Sequence, residues 1–299
     1  MRICVCVKQT PDSSSVYVDP ISGEVDFERF VQVLNAADAC AVEAAVRLKE
    51  QVGDATVLAL TLGPQDAESA LRAALAIGAD EAARLWNPDA AEWGPFTVAA
   101  ALAASIQQLF PTPDLVLCGD SASDRSSGVV GPALAELLDL PQITNVAQLS
   151  LKREEQGDES APVLRATRKL ERGYRELLEA RPPLLLAVTA DLNEPRYPSL
   201  PAHMAALKAK IPVYDPTLWF DSTAMEEADE TTLLEIHVPR PLPRHIPTPD
   251  SHHSAFERIG EILAGGTTGR KTRIVEGSDE ELARVLVEFL REKGFLQEK

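Results

Sequence analysis

The residues best suited to chemistry lie in a polar loop that follows an apolar run at 115–118. The loop, Gly119-Asp-Ser-Ala-Ser-Asp-Arg-Ser-Ser-Gly128, leads into a predicted helix at 129–138. The backbone N–H groups of such a loop and the amino end of the next helix can bind phosphate. Hydroxyl donors would come from four serines, Ser121, Ser123, Ser126 and Ser127. The sequence predicts a phosphate site here; the alternative is a flexible polar loop with a helix cap.

Two further strand ends should meet this loop. Cys6 and Lys8 stand at the end of the predicted strand 3–7, and Leu62-Gly63-Pro64 ends the predicted strand 55–62. In open parallel sheets, ligands bind beyond the carboxyl ends of the strands. A helix predicted at 35–50, with Asn35 or Asp38 as its cap, is expected to begin near the same edge. Together these segments could frame an adenine and a ribose.

Several catalytic patterns are missing from the sequence. It holds no G-x-G-x-x-G, Walker A or G-x-S-x-G motif. All five histidines fall in the C-terminal third, and no acid, base or nucleophile constellation is visible. The four cysteines lack the spacing of a metal site. Cys4 and Cys6 should share one face of a strand as small buried residues in a reducing compartment. We therefore predict no catalytic and no metal-binding residues.

The order of elements predicts an α/β protein. Apolar strands alternate with helices at parallel-sheet spacing, which indicates an open, mostly parallel sheet with helices on both faces. Alternating residues at 146–181 predict a small antiparallel meander, and an apolar run at 184–189 returns to the sheet. We expect a nucleotide-binding domain at 1–211 and an extended C-terminal arm at 212–299. The arm is predicted to hold a strand at 233–238, a proline-rich segment at 239–250, a short helix at 255–264 and an amphipathic helix at 278–293, capped by Ser278 and Glu281. A hairpin-like excursion is expected at 12–32.

Charge and hydropathy restrict the partners. The 299 residues carry a formal net charge of −17. Such an acidic chain is a poor partner for nucleic acid or anionic membranes. No apolar run approaches the roughly 18 residues of a membrane span, so direct membrane insertion is not expected. The apolar start is too short for a signal peptide, which favours a cytoplasmic protein or one inside an organelle or an archaeal cell.

The ordered motifs resemble those of the electron-transfer flavoprotein β-subunit family. They are Val5-Cys-Val-Lys-Gln-Thr-Pro-Asp12, the helix at 35–50, Gly63-Pro64, Arg72-Ala-Ala-Leu-Ala-Ile-Gly-Ala-Asp80, the loop at 114–131 and Asn193-Glu-Pro-Arg-Tyr-Pro-Ser-Leu200. The resemblance covers about residues 1–238 and resumes at about 273–295. A segment at about 240–271 has no counterpart in it.

The resemblance implies a heterodimer with an α-subunit that holds most of an FAD. It also implies a second nucleotide in the β-subunit, which is AMP in ordinary members and FAD in electron-bifurcating ones. Asp124 would be a prominent contact. By position, the nucleotide-binding residues are Cys6, Asn35, Ala36, Ala37, Asp38, Leu62, Gly119, Asp120, Ser121, Ala122, Ser123, Asp124, Arg125, Ser126, Ser127, Gly128, Val129 and Val130.

The resemblance further implies a partner-recognition loop at about 193–210 that docks acyl-CoA dehydrogenases. Its residues would be Tyr197, Leu200, Pro201 and Met204, with Leu200 as the anchor. An exposed leucine between prolines suits an anchor that fills a pocket on a partner. The alternative is that Leu200 is a buried staple. Electrons would pass from such dehydrogenases, as in fatty acid oxidation, to a quinone-reducing or other acceptor.

Four hypotheses of function remain open from the sequence. The first is the ordinary electron carrier, which is not itself an enzyme. A second is an electron-bifurcating β-subunit in an NADH-dependent complex, because Arg168-Lys-Leu-Glu-Arg-Gly173 resembles the bifurcating and nitrogen-fixation branch. Two further hypotheses belong to other classes of protein: a non-redox adenine-nucleotide-binding module and a purely structural subunit with an empty site. The non-redox module would require neither the loop at 193–200 nor an exposed Leu200.

Overall fold

The structure is a computed structural model that describes residues 1–12, 14–16, 30–156, 159–221, 253–256, 258–259 and 277–292. These residues belong to two compact units, one within 1–239 and the other within 240–299. The strand predicted at 233–238, the proline-rich segment 239–250 and most of the helix predicted at 255–264 lie outside the described residues, as does most of the excursion at 12–32. The unusual segment at about 240–271 is described only at six positions.

The strands form one large sheet and one small one. The large sheet has the order β11-β5-β4-β1-β6-β10-β7-β8-β9, and β2 pairs with β3 separately. The strands are β1 (Arg2–Cys6), β2 (Gln9–Pro11), β3 (Gln32–Leu34), β4 (Thr56–Leu62), β5 (Glu81–Leu85), β6 (Leu115–Gly119), β7 (Gln142–Gln156), β8 (Glu159–Lys169), β9 (Arg175–Ala180), β10 (Leu184–Val188) and β11 (Val213–Tyr214).

Pairing is parallel from β11 through β7 and antiparallel from β7 through β9. The open, mostly parallel sheet is therefore confirmed, and so is the antiparallel meander. The parallel strands are nearly continuous apolar runs because both of their faces are covered. β11 is only two residues long and was not predicted, since so short a segment carries no alternating pattern.

Helices cover both faces of the sheet, as predicted. They are α1 (Ala36–Val52), α2 (Glu68–Ile77), α3 (Pro95–Leu109), α4 (Val130–Leu137), α5 (Leu200–Lys208) and, in the second unit, α6 (Asp279–Glu292). One core layer joins α1 and α2 to one face of the sheet, and the other joins α3 and α4 to the opposite face. The alternation within β1 is visible here: Ile3 and Val5 belong to the first layer, and Cys4 and Cys6 belong to the second.

The helix ends follow from local sequence. Gly78 ends α2 with a φ of 137°, a conformation that favours glycine. The sequence predicts one helix over 65–77, and the structure forms a 3₁₀ turn at Gln65–Ala67 followed by α2 from Glu68. At the start of α6, the Ser278 N–H donates to the Glu281 carboxylate at 3.0 Å, which is the glutamate half of a capping box.

Among the described residues, none of the helices has the length and apolar character that a membrane crossing requires.

Candidate functional site

A cavity of about 470 Å³ opens where β1, β4, β5 and β6 end. This is the edge of the sheet at which the sequence predicts a ligand site. Its wall includes most of the predicted site residues and several apolar side chains from other segments. The predicted residues that line it are Cys6, Asn35, Asp38, Leu62, Gly119, Asp120, Ser121, Ala122, Asp124, Arg125, Ser127, Gly128, Val129 and Val130.

Four of the predicted site residues do not line the cavity. Ala36 and Ala37 belong to the first turn of α1, and Ser123 and Ser126 belong to the polar loop. The Ser123 N–H donates to the Asn35 side chain at 3.3 Å, and Ser126 adopts a φ of 51° with its hydroxyl directed to the Ala122 carbonyl. These four residues do not line the cavity, and their role in binding a nucleotide stays a prediction.

Asp38 ties three segments of the site together. Its carboxylate accepts the Gly119 N–H at 2.7 Å and the Lys8 N–H at 2.9 Å, so α1 is joined to the ends of β6 and β1. Asp38 is buried, and burial raises the pKa of its carboxyl from 3.8 to about 6, against the lowering effect of its hydrogen bonds. A carboxyl that titrates near 6 can respond to a ligand beside it.

The close approach of α1 to β6 requires a glycine at position 119. A Cβ on Gly119 would lie 2.5 Å from an Asp38 carboxylate oxygen and 2.8 Å from the Ala37 Cβ. Real Cβ atoms do not come so close to other heavy atoms. The glycine thus lets the polar loop start directly against the amino end of α1.

Asn35 has a different role from the predicted one. It stands at the amino end of α1, but its side chain makes no capping hydrogen bond. The Asn35 amide instead donates to the Ser121 carbonyl at 3.0 Å and accepts the Ser123 N–H. The prediction of a cap at Asn35 was wrong in its hydrogen bonds, because the loop after β6 offers the amide a closer pair of partners.

Charges of both signs meet at the mouth of the cavity. Lys8 forms an ion pair with Asp124, with the two charged atoms 2.5 Å apart, and both residues are partly exposed. Arg125 also lines the cavity, and Asp120 lies deeper, where burial raises the pKa of its carboxyl. The cavity lining thus carries two cationic side chains, Lys8 and Arg125, among three carboxyl groups, Asp38, Asp120 and Asp124.

An aromatic wall closes the other side of the cavity, and sequence reasoning missed it. Trp86 directly follows β5, and Trp93 follows a 3₁₀ turn at Pro88–Ala91. Trp93 is buried with its ring edge-on to Phe220, at 5.5 Å between centroids. Among the described residues, its indole N–H finds no hydrogen-bond partner. The one available signal was the pair of tryptophans in a short interval between a strand and a helix.

The cysteines are structural. All four are free and buried, and Cys6 and Cys118 line the cavity floor. A hydrogen bond with Cys4 and burial raise the pKa of the Cys6 thiol, and burial raises that of Cys118. These thiols are therefore protonated at neutral pH and are poor nucleophiles and metal ligands. Within the part of the chain that the structure describes, no group of three or more ligand-type side chains could hold a metal ion.

An apolar stripe lies on the surface at 193–208. It consists of Tyr197, Leu200, Met204 and Leu207, hereafter the α5 stripe, at spacings that place the last three on one side of α5. Tyr197 is fully exposed and Leu200 is 71% exposed, which rules out a buried staple. Pro201 is exposed beside them. Leu207 was not among the predicted recognition residues.

The segment before α5 is bound to α1 by charged groups. Arg196 donates to Glu43 at 2.8 Å and to Glu50 at 2.5 Å, and Arg47 donates to the Glu194 carbonyl at 3.0 Å. Burial alone would raise the pKa of Glu43, but the hydrogen bonds from Arg196 and Arg47 outweigh it and hold that pKa below its ordinary value. The stripe therefore stands on a fixed base rather than on a loose loop.

The fold and the site define a class first: an α/β protein with a ligand cavity at the carboxyl edge of its parallel sheet. The Electron transfer flavoprotein domain matches residues 26–219. The chain belongs to the electron-transfer flavoprotein family, in which it resembles the β-subunits.

Three relatives illustrate this membership. The chain is 40% identical to an electron transfer flavoprotein subunit beta of Thermoanaerobacterium thermosaccharolyticum, over 67% of this chain and 72% of the relative. It is 36% identical to subunit CarD of the caffeyl-CoA reductase-Etf complex of Acetobacterium woodii, over 72% and 78% respectively. It is 30% identical to Protein FixA of Azotobacter vinelandii, over 87% and 92%. These similarities give the chain an electron-transfer role as a β-subunit.

Proposed function

We propose that this chain pairs with an α-subunit, binds an adenine nucleotide in the cavity and docks flavin-dependent dehydrogenases through the α5 stripe. Electrons pass from the dehydrogenase to an FAD held mainly by the α-subunit, and on to a quinone-reducing or other acceptor. The observation that carries the proposal is the cavity itself. In a chain of this family, it combines an apolar aromatic wall with a Gly/Ser loop and a helix amino end.

The cavity suits both parts of a nucleotide. The apolar side, with Trp86, Trp93 and Leu62, suits a flat purine ring, because aromatic side chains and bases favour stacked contact. The buried indole N–H of Trp93 offers a donor for a ring nitrogen or a hydroxyl. Both features fit an adenosine better than a purely ionic ligand.

The polar side suits phosphate. No side chain caps the amino end of α4, so its first N–H groups face the loop region, where helix polarity favours an anion. Arg125 and Lys8 line the same part of the cavity and can neutralise the charge. Asp124, paired with Lys8 here, can exchange that partner for a hydroxyl donor of the ligand. A flavin, if it is the nucleotide, would supply the redox chemistry, while these residues bind and orient it.

The exposed apolar surface of α5 and the names of the relatives support a proposal for the class of protein that docks here. The α5 stripe is an exposed set of large apolar side chains on a fixed base, and such sets mark protein-binding sites. One relative is a subunit of a caffeyl-CoA reductase complex, so an enzyme that acts on CoA thioesters is a fitting class of partner, and we propose that an acyl-CoA dehydrogenase or a related flavin dehydrogenase docks here. The four reduced thiols suit the cytoplasm.

A second candidate is an electron-bifurcating subunit that holds a second FAD in the cavity. The resemblance of residues 168–173 to that branch favours it. The family membership argues against a non-redox nucleotide-binding module or a structural subunit with an empty site. The cofactor content separates all four readings.

The deciding experiment is co-expression with the α-subunit, followed by release and chromatography of the bound nucleotides. One FAD plus one AMP per heterodimer supports the ordinary carrier, and two FAD support bifurcation. A bound adenine nucleotide without flavin would indicate the non-redox module. A heterodimer with FAD only in the α-subunit and nothing in the cavity would contradict nucleotide binding here.

The docking role is tested by Leu200→Ala. An exposed anchor that fills a partner pocket contributes about 2 kcal/mol or more, so we expect the KM for the donor dehydrogenase to rise at least about tenfold. The nucleotide content and kcat should stay unchanged. Leu218→Ala is the control, because Leu218 is 76% exposed but lies outside the α5 stripe. Equal KM values for wild type and Leu200→Ala would remove the stripe from its role.

A further inference from the structure

The carboxyl end of α5 is held by one arginine from α2. The Arg72 guanidinium donates through Nη1 to the carbonyls of Ala206, Leu207 and Ala209, at 2.8, 2.9 and 3.1 Å. The last carbonyls of a helix have no partner within the helix and carry partial negative charge, so a cation there stabilises the helix end. Arg72 thus gives a nine-residue helix, which would be marginal alone, a charged C-terminal cap.

Arg72 is itself held in place. Its Nη2 donates to Glu68 at 3.2 Å, one turn earlier on α2. The other oxygen of Glu68 accepts from Arg84 Nε at 3.2 Å, and Arg84 donates through Nη1 to the Gly63 carbonyl. Arg84 is buried on β5, and Gly63 lies in the cavity wall. The guanidinium that caps α5 is therefore the outer member of a chain of hydrogen bonds that begins in the sheet.

This chain fixes which side of α5 faces outward. Arg72 contacts the carbonyls of the last turn while Ala206 packs inward, buried to 4% exposure, and α2 packs against α5. Leu200, Met204 and Leu207 then project to solvent. A helix held at its carboxyl end by Arg72 and at its amino side by Arg196 can present the α5 stripe in one orientation only.

We propose that Arg72 is a positioning residue for partner docking: it holds α5 so that the α5 stripe is preorganised for the donor dehydrogenase. This rests on the proposed function of the stripe. Arg72 does not line the cavity, and its hydrogen bonds to α5 go to backbone carbonyls, so it acts through α5. Preorganisation lowers the ordering cost of association, so its loss weakens binding without altering the electron-transfer step.

The test uses the heterodimer carrying Arg72→Met, which keeps the aliphatic stem but removes the guanidinium. We expect the KM for an acyl-CoA dehydrogenase from the same organism to rise about tenfold with kcat unchanged, the size expected for charged hydrogen bonds lost at a helix end. Amide hydrogen exchange at residues 203–209 should accelerate, while that of α1 and the nucleotide content stay as in wild type. Arg72→Lys should raise the KM less than Arg72→Met does, because an ammonium keeps the positive charge but lacks the forked hydrogen-bond donors of the guanidinium.

Arg165→Met is the matched control. Arg165 also pairs with a glutamate, Glu179, at 2.6 Å, but it lies on the meander. If Arg72→Met leaves the KM and the exchange of 203–209 as in the control, the proposal is overturned. If exchange accelerates but only Leu200→Ala changes the KM, positioning for docking is also overturned. An unchanged KM in Leu200→Ala would instead overturn the docking role on which the proposal rests.

Discussion

Asp38 is the residue on which the geometry of the site depends most. One carboxylate accepts N–H groups from the ends of two strands and forms part of the cavity wall. An uncharged side chain of the same shape cannot do the same, because an asparagine offers one acceptor oxygen and an amide that would face an N–H. The cost of this arrangement is a buried carboxyl whose pKa is raised to about 6.

That pKa gives a pH dependence of defined sign. The folded protein binds the Asp38 proton more tightly than the unfolded chain does, so this group makes the free energy of unfolding fall as pH rises from about 4 to about 6. Asp38→Asn lacks the titration. The difference in unfolding free energy between wild type and variant should therefore shrink by up to about 3 kcal/mol across this window. Denaturant unfolding at several pH values measures it, and parallel curves would contradict the raised pKa.

At this scale the sequence revealed the polar side of the site and not the apolar side. The loop from Gly119 to Val130 was predictable from its composition, and Asp38 from its position at a helix start. Trp93 was not, because it follows a 3₁₀ turn without any periodic pattern and reaches the cavity only through packing on Phe220. Asn35 was placed correctly but given the wrong partners, since the loop that it contacts lies 86 residues further along the chain.

Among the elements, the segment before α5 depends on its attachment to α1. Arg196 bonds to both Glu43 and Glu50, and Glu43 is almost fully buried. The charge of Glu43 is tolerated there because two arginines neutralise it. Charged partners thus hold the two ends of the docking segment, with Arg196 at one end and Arg72 at the other.

Arg196→Met should destabilise the protein by about 1–3 kcal/mol, because it leaves a buried carboxylate with Arg47 as its remaining partner. Since the pKa of Glu43 is held below its ordinary value, the stabilisation is present above about pH 4.5 and is lost as pH falls further. Thermal unfolding at pH 7 and pH 4 checks both points. Arg168→Met serves as the control, because its partner Glu176 is far more exposed than Glu43, at 41% against 2% of the side chain, and exposed pairs contribute about 0–1 kcal/mol. Equal losses in the two variants would contradict the argument.

The element boundaries were predictable within two residues wherever a turn residue marked them. Gly78 is an example, and the start of α3 at Pro95 is another. The strand β11 was not predictable, because its stability comes from β5, which is distant in sequence. The antiparallel pair of β2 and β3, in contrast, flanks the hairpin-like excursion that the sequence predicts at 12–32. The short strand β11 exists because β5 offers it an open edge.

For the molecule as a whole, the division into two units makes a prediction about truncation. The chain after β10 returns to the sheet: β11 pairs with β5, and Tyr214 and Trp219 pack on the core beside α3. A chain ending at residue 239 should therefore unfold cooperatively, within about 5 °C of the full-length melting temperature. A chain ending at residue 211, the boundary expected from sequence, lacks these contacts and should melt distinctly lower. Circular dichroism melts compare the two, and equal melting temperatures would contradict the prediction.

The four cysteines have a practical consequence for spectroscopy. Because every native thiol is buried, a thiol-reactive probe should leave the unmodified chain unlabelled. His203 is exposed on α5, so a cysteine introduced there would be a single reactive point beside the Leu200 anchor. A spin label or fluorophore at that point would report the distance to a flavin in a bound partner, in a protein that needs no prior removal of its own cysteines.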